Sequence, residues 1–308
     1  MDDGQRVYWE ENGTPDGTPV LYLHGGPGGT LGARYPDRFA LDRVRLVGVE
    51  QRGCGRSTPR VHEPGHDLDA NTTHRLVADL ELVRELLGID AWLLNGVSWG
   101  STLALAFARA HPARVLGLVL VAVTTTSRRE VDWVTQDVGA VFPEAWDRLA
   151  AHADRGGRRS GERLVDAYAR LLRHPDPDVR RGATGAWTAW EDTHVSLASG
   201  GVVRDPRWED PGFAEVFATL VTHYWSHDGF VDPPLLDEPG PVTSLPGILV
   251  HGRQDVSSPL VTAWQLHGAW PGSELVVDEG GGHGGGGMAA LWRDANERML
   301  DRLEGQRP

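Results

Sequence analysis

Apolar residues along this chain gather into short runs, at 20–23, 44–49, 92–97, 115–123, 248–250 and 275–277. Runs this short, without polar alternation, predict strands covered on both faces, as in a parallel sheet. Between them the period becomes helical. Leu76, Leu80, Val83 and Leu87 share one face behind a capping Thr72 or Thr73, and Gly88 supplies the stop. Residues 102–110, 260–270 and 288–303 read as three further helices. Alternating strand and helix predicts an α/β fold with a mostly parallel sheet and helices on both faces. The alternation lapses between about 124 and 240, where scattered Trp, paired Arg and helix-like segments replace buried strands. The expected organisation is a core of residues 1–123 and 241–308 plus a helical cap, 124–240, over the carboxyl edge of the sheet. Open α/β sheets bind their ligands at that edge.

Composition narrows the function classes. The chain has 308 residues and a formal net charge of −13, which argues against nucleic acid and anionic membranes as partners. It contains no Lys, so neither a Schiff base nor a phosphate-binding Walker lysine is available. A single cysteine, Cys54, precludes an internal disulfide and fits a reducing, cytoplasmic setting. The opening MDDGQRVYWE has neither a basic stretch nor an apolar one, so no secretory leader is expected. No apolar run reaches the roughly 18 residues of a membrane span. Nothing in the pattern speaks to oligomeric state.

The run at 92–97 ends in Gly96-Val97-Ser98-Trp99-Gly100, and a helical pattern follows at once. G-x-S-x-G between a strand and a helix is the setting of a nucleophile elbow, where small residues let strand and helix close around an exposed serine. A serine hydroxyl needs a base to take its proton. In α/β-hydrolases the acid and then the histidine follow the serine in chain order. Asp255, in ILVHGRQD, and His283, in ELVVDEGGGH, each follow a later strand and fill those places, with Asp278 the nearest rival acid. Gly25 and Gly26, in HGGPGG after the first run, can bring backbone N–H groups to a substrate oxygen. With the N–H of Trp99 they would form an oxyanion hole. No clustered Cys and His suggests zinc, and no cofactor is expected.

Taken in order, HGGPGG, QRGCGRS, NTTHRLVADLELVRELLGI, SWGSTLALAFARAHP, WTAWE, HYW…GF and HGRQD resemble the proline iminopeptidases, over residues 5–303. The resemblance implies an α/β-hydrolase with a helical cap that releases N-terminal proline from small peptides or amides without a metal. It implies Ser98 as nucleophile, Asp255 as acid and His283 as base. It also implies that Glu191, within WTAWE, holds the substrate's protonated amine, with Trp187, Trp190 and Tyr224 about the proline ring. The chain departs from the family pattern at several points. Val221 stands where a second cap carboxylate is usual, Glu50 replaces an aspartate, Gln254 an aromatic residue and His74 a tryptophan, and the loop around His283 is swollen with glycine. These departures leave two alternatives open. One is an esterase or amidase of the same fold with an altered pocket, for example one tailoring a specialised metabolite. The other is a binding protein on a hydrolase scaffold.

Overall fold

The computed structural model describes Met1 and residues 3–305. Its centre is a sheet built from β1 (Tyr8–Gly13), β2 (Thr18–Leu23), β3 (Val44–Glu50), β4 (Trp92–Val97), β5 (Val115–Val121), β6 (Gly247–Gly252) and β7 (Ser273–Asp278). The strand order is β1-β3-β2-β4-β5-β6-β7. All neighbours are parallel except β1, which runs antiparallel to β3 with Tyr8 opposite Glu50. The chain builds outward from β2 to β3 and then returns to β4 on the other side. The topological switch point therefore falls between β2 and β4, where the crevice of such sheets opens.

The six apolar runs are six of these strands, and the reason for their continuous apolarity is visible. Leu21, Leu23, Val47, Val49, Leu94 and Leu120 face one side, beneath α1 (Thr73–Leu86), α2 (Trp99–Ala110) and α8 (Val261–Gly268). Val20, Tyr22, Leu46, Leu93, Val119 and Val250 face the other, where α9 (Met288–Glu304) supplies Met288, Ala295, Met299 and Leu300. Each fully buried aliphatic side chain contributes about 1.5–3 kcal/mol. The strand that the pattern does not announce is β1. Its YWEENG is a half-exposed edge, so polar residues suffice.

Helix α1 begins where Thr72 caps it, its hydroxyl accepting the Arg75 N–H at 3.3 Å. Helix α2 begins at Trp99, earlier than the hydrophobic pattern suggests, because Ser98 itself occupies the N-cap position. Between β5 and β6 lie α3 (Arg128–Thr135), α4 (Pro143–Arg155), α5 (Leu164–Leu171), α6 (Pro177–Val195) and α7 (Pro211–Ser226). They enclose an apolar core of their own, with Leu149, Tyr168, Trp187, Trp190 and Val221 at its centre. Among the described residues no helix is long and apolar enough to cross a membrane.

Candidate active site

Ser98 sits between β4 and α2 with φ 54° and ψ −125°, a conformation that L-residues rarely adopt and that costs about 1–3 kcal/mol. Its surroundings enforce it. The Ser98 N–H donates to Val121 O at 2.9 Å, and its carbonyl accepts the Ser101 N–H at 2.7 Å and hydroxyl at 2.6 Å. A Cβ on Gly96 would drive into the Gly100 carbonyl, and one on Gly100 into the Leu23 carbonyl. The two glycines therefore let strand, turn and helix touch, and the hydroxyl is turned out at the carboxyl edge of the sheet.

Two distant loops meet that hydroxyl. His283 Nε2 lies 2.9 Å from Ser98 Oγ, and His283 Nδ1 lies 2.9 Å from Asp255 Oδ2. Asp255, wholly buried at its side chain, also accepts the Ser258 N–H on Oδ1 at 2.8 Å. Burial alone would raise its carboxyl. The facing His283 outweighs it, together with His251 and the Ser258 N–H, and holds it below the usual range. Burial likewise pulls His283 down, but the Asp255 charge and hydrogen bond, with Glu191 beyond, leave it raised. The glycine-rich loop carrying His283 is tied down where Gly281 O accepts the Gln254 N–H at 2.8 Å. Its carbonyls at 281 and 282 press so closely on Gly252 that a Cβ there would not fit. Asp278, the rival acid, instead takes the Gly280 N–H at 3.3 Å.

His24 and His251 also stand at strand ends, and their bonds are structural. His251 Nδ1 accepts the Val123 N–H at 3.0 Å, so its Nε2–H donates to Ser258 O at 2.6 Å. His24 Nε2 accepts the Gln51 N–H at 3.2 Å, so its Nδ1–H donates to Gly25 O at 2.9 Å. The glycine loop after β2 lies against the serine. A Cβ on Gly25 would stand 3.2 Å from the Ser98 Cβ, and Gly26 has φ +120°. Trp99 is the first residue of α2, a position whose N–H has no acceptor within the helix. Gly25, Gly26, Ser98, Trp99 and His283 all border one cavity of about 400 Å³. Cys54 does not; its thiol donates to Gln51 O at 3.1 Å, and burial pushes it up.

Residues of α6, α7 and the segment between them complete the cavity wall. Glu191 lies on its wall as expected, with Oε1 accepting the Trp187 indole N–H at 3.0 Å. Burial pushes its carboxyl up to about 7, against the opposing pull of His283. Three expected neighbours are elsewhere. Trp187, Trp190 and Tyr224 do not border the cavity; they are fully buried in apolar packing. The Trp190 indole donates to Val134 O at 3.1 Å inside the cap, and the Tyr224 ring packs on Trp99 at 4.8 Å. Residues three apart on a helix can equally line a core or a cavity, and here α6 turns them into the core. The aromatic wall comes instead from Tyr22, Trp208, Phe217 and Trp225. Val221 is also cap core, wholly buried and off the cavity wall.

Several residues of this region went unremarked in the sequence. Gln51, behind the cavity wall, joins the elbow to the glycine loop, and Asp192, Arg207 and Ser257 are among those that line the pocket. Asp192, Arg207 and Ser257 carry no local pattern that marks them as cavity residues.

The family model described as the alpha/beta hydrolase fold matches residues 18–286. A Streptomyces coelicolor protein named "Probable proline iminopeptidase" is 43% identical over 289 residues, covering 92% of this chain and 88% of its own. The proline iminopeptidase of Arabidopsis thaliana is 38% identical, covering 97% of this chain and 78% of its own. That of Neisseria gonorrhoeae is 40% identical, covering 90% and 86%. Among solved structures, VinJ superposes with a TM-score of 0.67 at 23% identity, covering 98% of this chain and 96% of its own. An alpha/beta hydrolase from a Medee basin deep-sea metagenome gives 0.64 at 16% identity, covering 99% and 96%. At such identities these two speak for the fold alone.

Proposed function

The chain belongs to the proline iminopeptidase family within the α/β-hydrolase fold, and from that premise we propose that it releases N-terminal proline, or another small N-terminal residue, from small peptides or amides. Ser98 Oγ attacks the carbonyl of the first residue while His283 Nε2 takes its proton. Asp255 holds His283 in the tautomer that leaves Nε2 free and stabilises the imidazolium formed. The N–H groups of Trp99 and of Gly25 or Gly26 hold the oxyanion, each worth about 10²–10³ in turnover. His283 returns the proton to the departing amine, leaving an acyl-enzyme. A water, deprotonated by the same imidazole, hydrolyses the ester and frees Ser98. Glu191 receives the substrate's ammonium, a charge-assisted contact made stronger by burial.

The observation that carries this reading is the unbroken chain Ser98–His283–Asp255 opening on a cavity walled by the buried carboxylate of Glu191, which no Arg among the described residues pairs. The lone, buried Cys54 supports a cytoplasmic workplace. Hydrolysis of prolyl arylamide, N-acetylprolyl arylamide and a simple aryl ester tests the reading. Turnover of the free-amine substrate must exceed that of the acetylated one. Equal turnover would mark an esterase or amidase that ignores the amine, and Val221 in place of a carboxylate is the feature that would favour it.

A further inference from the structure

Four carboxylates border the cavity: Glu130, Glu191, Asp192 and Asp205. Two are fully engaged. Glu130 accepts bonds from Thr124, Thr125, Ser127 and Thr262 across both oxygens. Asp205 is paired with Arg207, whose Nε reaches Oδ1 at 3.1 Å and whose Nη2 reaches Oδ2 at 2.6 Å. The other two each keep one oxygen without a donor. Asp192 Oδ1 accepts the Trp208 indole N–H at 2.8 Å and the Asp205 N–H at 2.9 Å, while its Oδ2 accepts nothing among the described residues. Glu191 Oε1 is taken by Trp187, while Oε2 faces only His194 Nε2, 3.4 Å away and itself without a hydrogen bond. Both residues are more than nine-tenths buried, at 7% and 8% exposure, and no Arg among the described residues is paired with either. A buried carboxylate lacking a cation is costly unless something arrives to pair with it.

We propose that Asp192 is the second anionic contact for the substrate's N-terminal nitrogen, its Oδ2 acting with Glu191 Oε2 as a two-acceptor cradle. This inference rests on the aminopeptidase reading above and deepens it. It places the second negative charge on the helix that carries the first, beside Glu191 on α6, while Val221 on α7 stays in the cap core. The donor count fits a secondary amine. A prolinium nitrogen offers two N–H donors, one for each free oxygen, whereas a primary ammonium offers three and would leave one without a protein partner. Both carboxylates are held in place at the cavity wall, since Oδ1 of Asp192 and Oε1 of Glu191 are each bound by an indole N–H. The raised carboxyl of Glu191 agrees with two acids sharing a dry site, because Asp192 is among the groups that push it up.

The test is the ratio of kcat/KM for prolyl arylamide to that for an aryl acetate, which carries no amine, in the wild type, Asp192→Asn, Asp192→Glu and Glu191→Gln. Asp192→Asn should lower the ratio about 10- to 100-fold, chiefly through KM, and Asp192→Glu should recover part of it. The preference for prolyl over alanyl arylamide should narrow in Asp192→Asn. A ratio unchanged in Asp192→Asn, or both substrates slowed equally, would overturn the proposal. If Glu191→Gln loses the ratio while Asp192→Asn keeps it, the aminopeptidase reading stands and this inference alone falls. If the wild type itself turns over N-acetylprolyl arylamide as fast as prolyl arylamide, the underlying reading is what fails.

Discussion

The indole N–H of Trp99 donates to Gln51 Oε1 at 2.8 Å, and the Nε2 of the same glutamine donates to His24 O at 3.0 Å. One buried amide thus locks the residue after the nucleophile to the strand end from which the glycine loop departs. The two halves of the proposed oxyanion hole come from segments some 75 residues apart. Their spacing has to be held by a part that touches both.

Gln51→Leu should therefore damage rate and stability together. It leaves the Trp99 indole and the His24 carbonyl buried without partners, at about 1–3 kcal/mol each. A lowered melting temperature and a fall in kcat larger than any change in KM are the expected results. Gln51→Glu keeps the acceptor for Trp99 but sets a buried carboxylate oxygen against the His24 carbonyl, so it too should lower stability and kcat.

Asp255→Asn should lower kcat about 10⁴-fold with KM changed little, because the amide favours the wrong histidine tautomer. Steady-state kinetics on prolyl arylamide checks this. A matching Asp278→Asn variant should retain near wild-type kcat, since among the described residues the Asp278 carboxylate bonds only within its own loop.

Gly100→Ala tests the elbow as a packing device. The added methyl would meet the Leu23 carbonyl, so β2, β4 or α2 must move. Overpacking of this kind costs about 1–3 kcal/mol. Denaturant unfolding should report that loss, and activity should fall further than Ala at an exposed glycine such as Gly185, whose surroundings are open.

The acid limb of the pH profile should depend on the substrate. His283 works as a base only when neutral, and its pKa is raised, so kcat/KM falls below a midpoint above the ordinary histidine value. Glu191 binds an ammonium only when ionised, and its carboxyl is pushed up to about 7. Lowering the pH through 7 protonates Glu191, lowering it through the raised midpoint of His283 protonates the base, and each protonation reduces activity on an amine-bearing substrate. Profiles of log kcat/KM should steepen toward two protons for prolyl arylamide and stay at one for an aryl acetate. Identical limbs for both substrates would remove Glu191 from amine binding.

What could be read from the residues divides by physical cause. The central strands and the meeting of Ser98, Asp255 and His283 were legible because burial on both faces forces short continuous apolar runs, and ligand-facing groups of open α/β sheets sit where such runs stop. β1 was not, since an edge strand needs no apolar run. The resemblance implied Trp187, Trp190 and Tyr224 about the substrate ring, but neither it nor aromatic spacing along a helix says whether a face meets a cavity or another helix. Only the packing of α4, α5 and α7 around α6 decides that. Asp192 was hidden for the same reason. A charged residue next to Glu191 reads as solvated surface until the Trp208 loop folds over it.

The central claim is a nucleophilic serine activated within this cavity, and covalent capture tests it most directly. A fluorophosphonate probe followed by intact-mass and peptide mapping should give one adduct per chain, on Ser98. It should vanish in Ser98→Ala and slow severely in His283→Ala. A folded protein that takes no adduct, or takes it at Ser257 or Ser258 instead, would contradict the account.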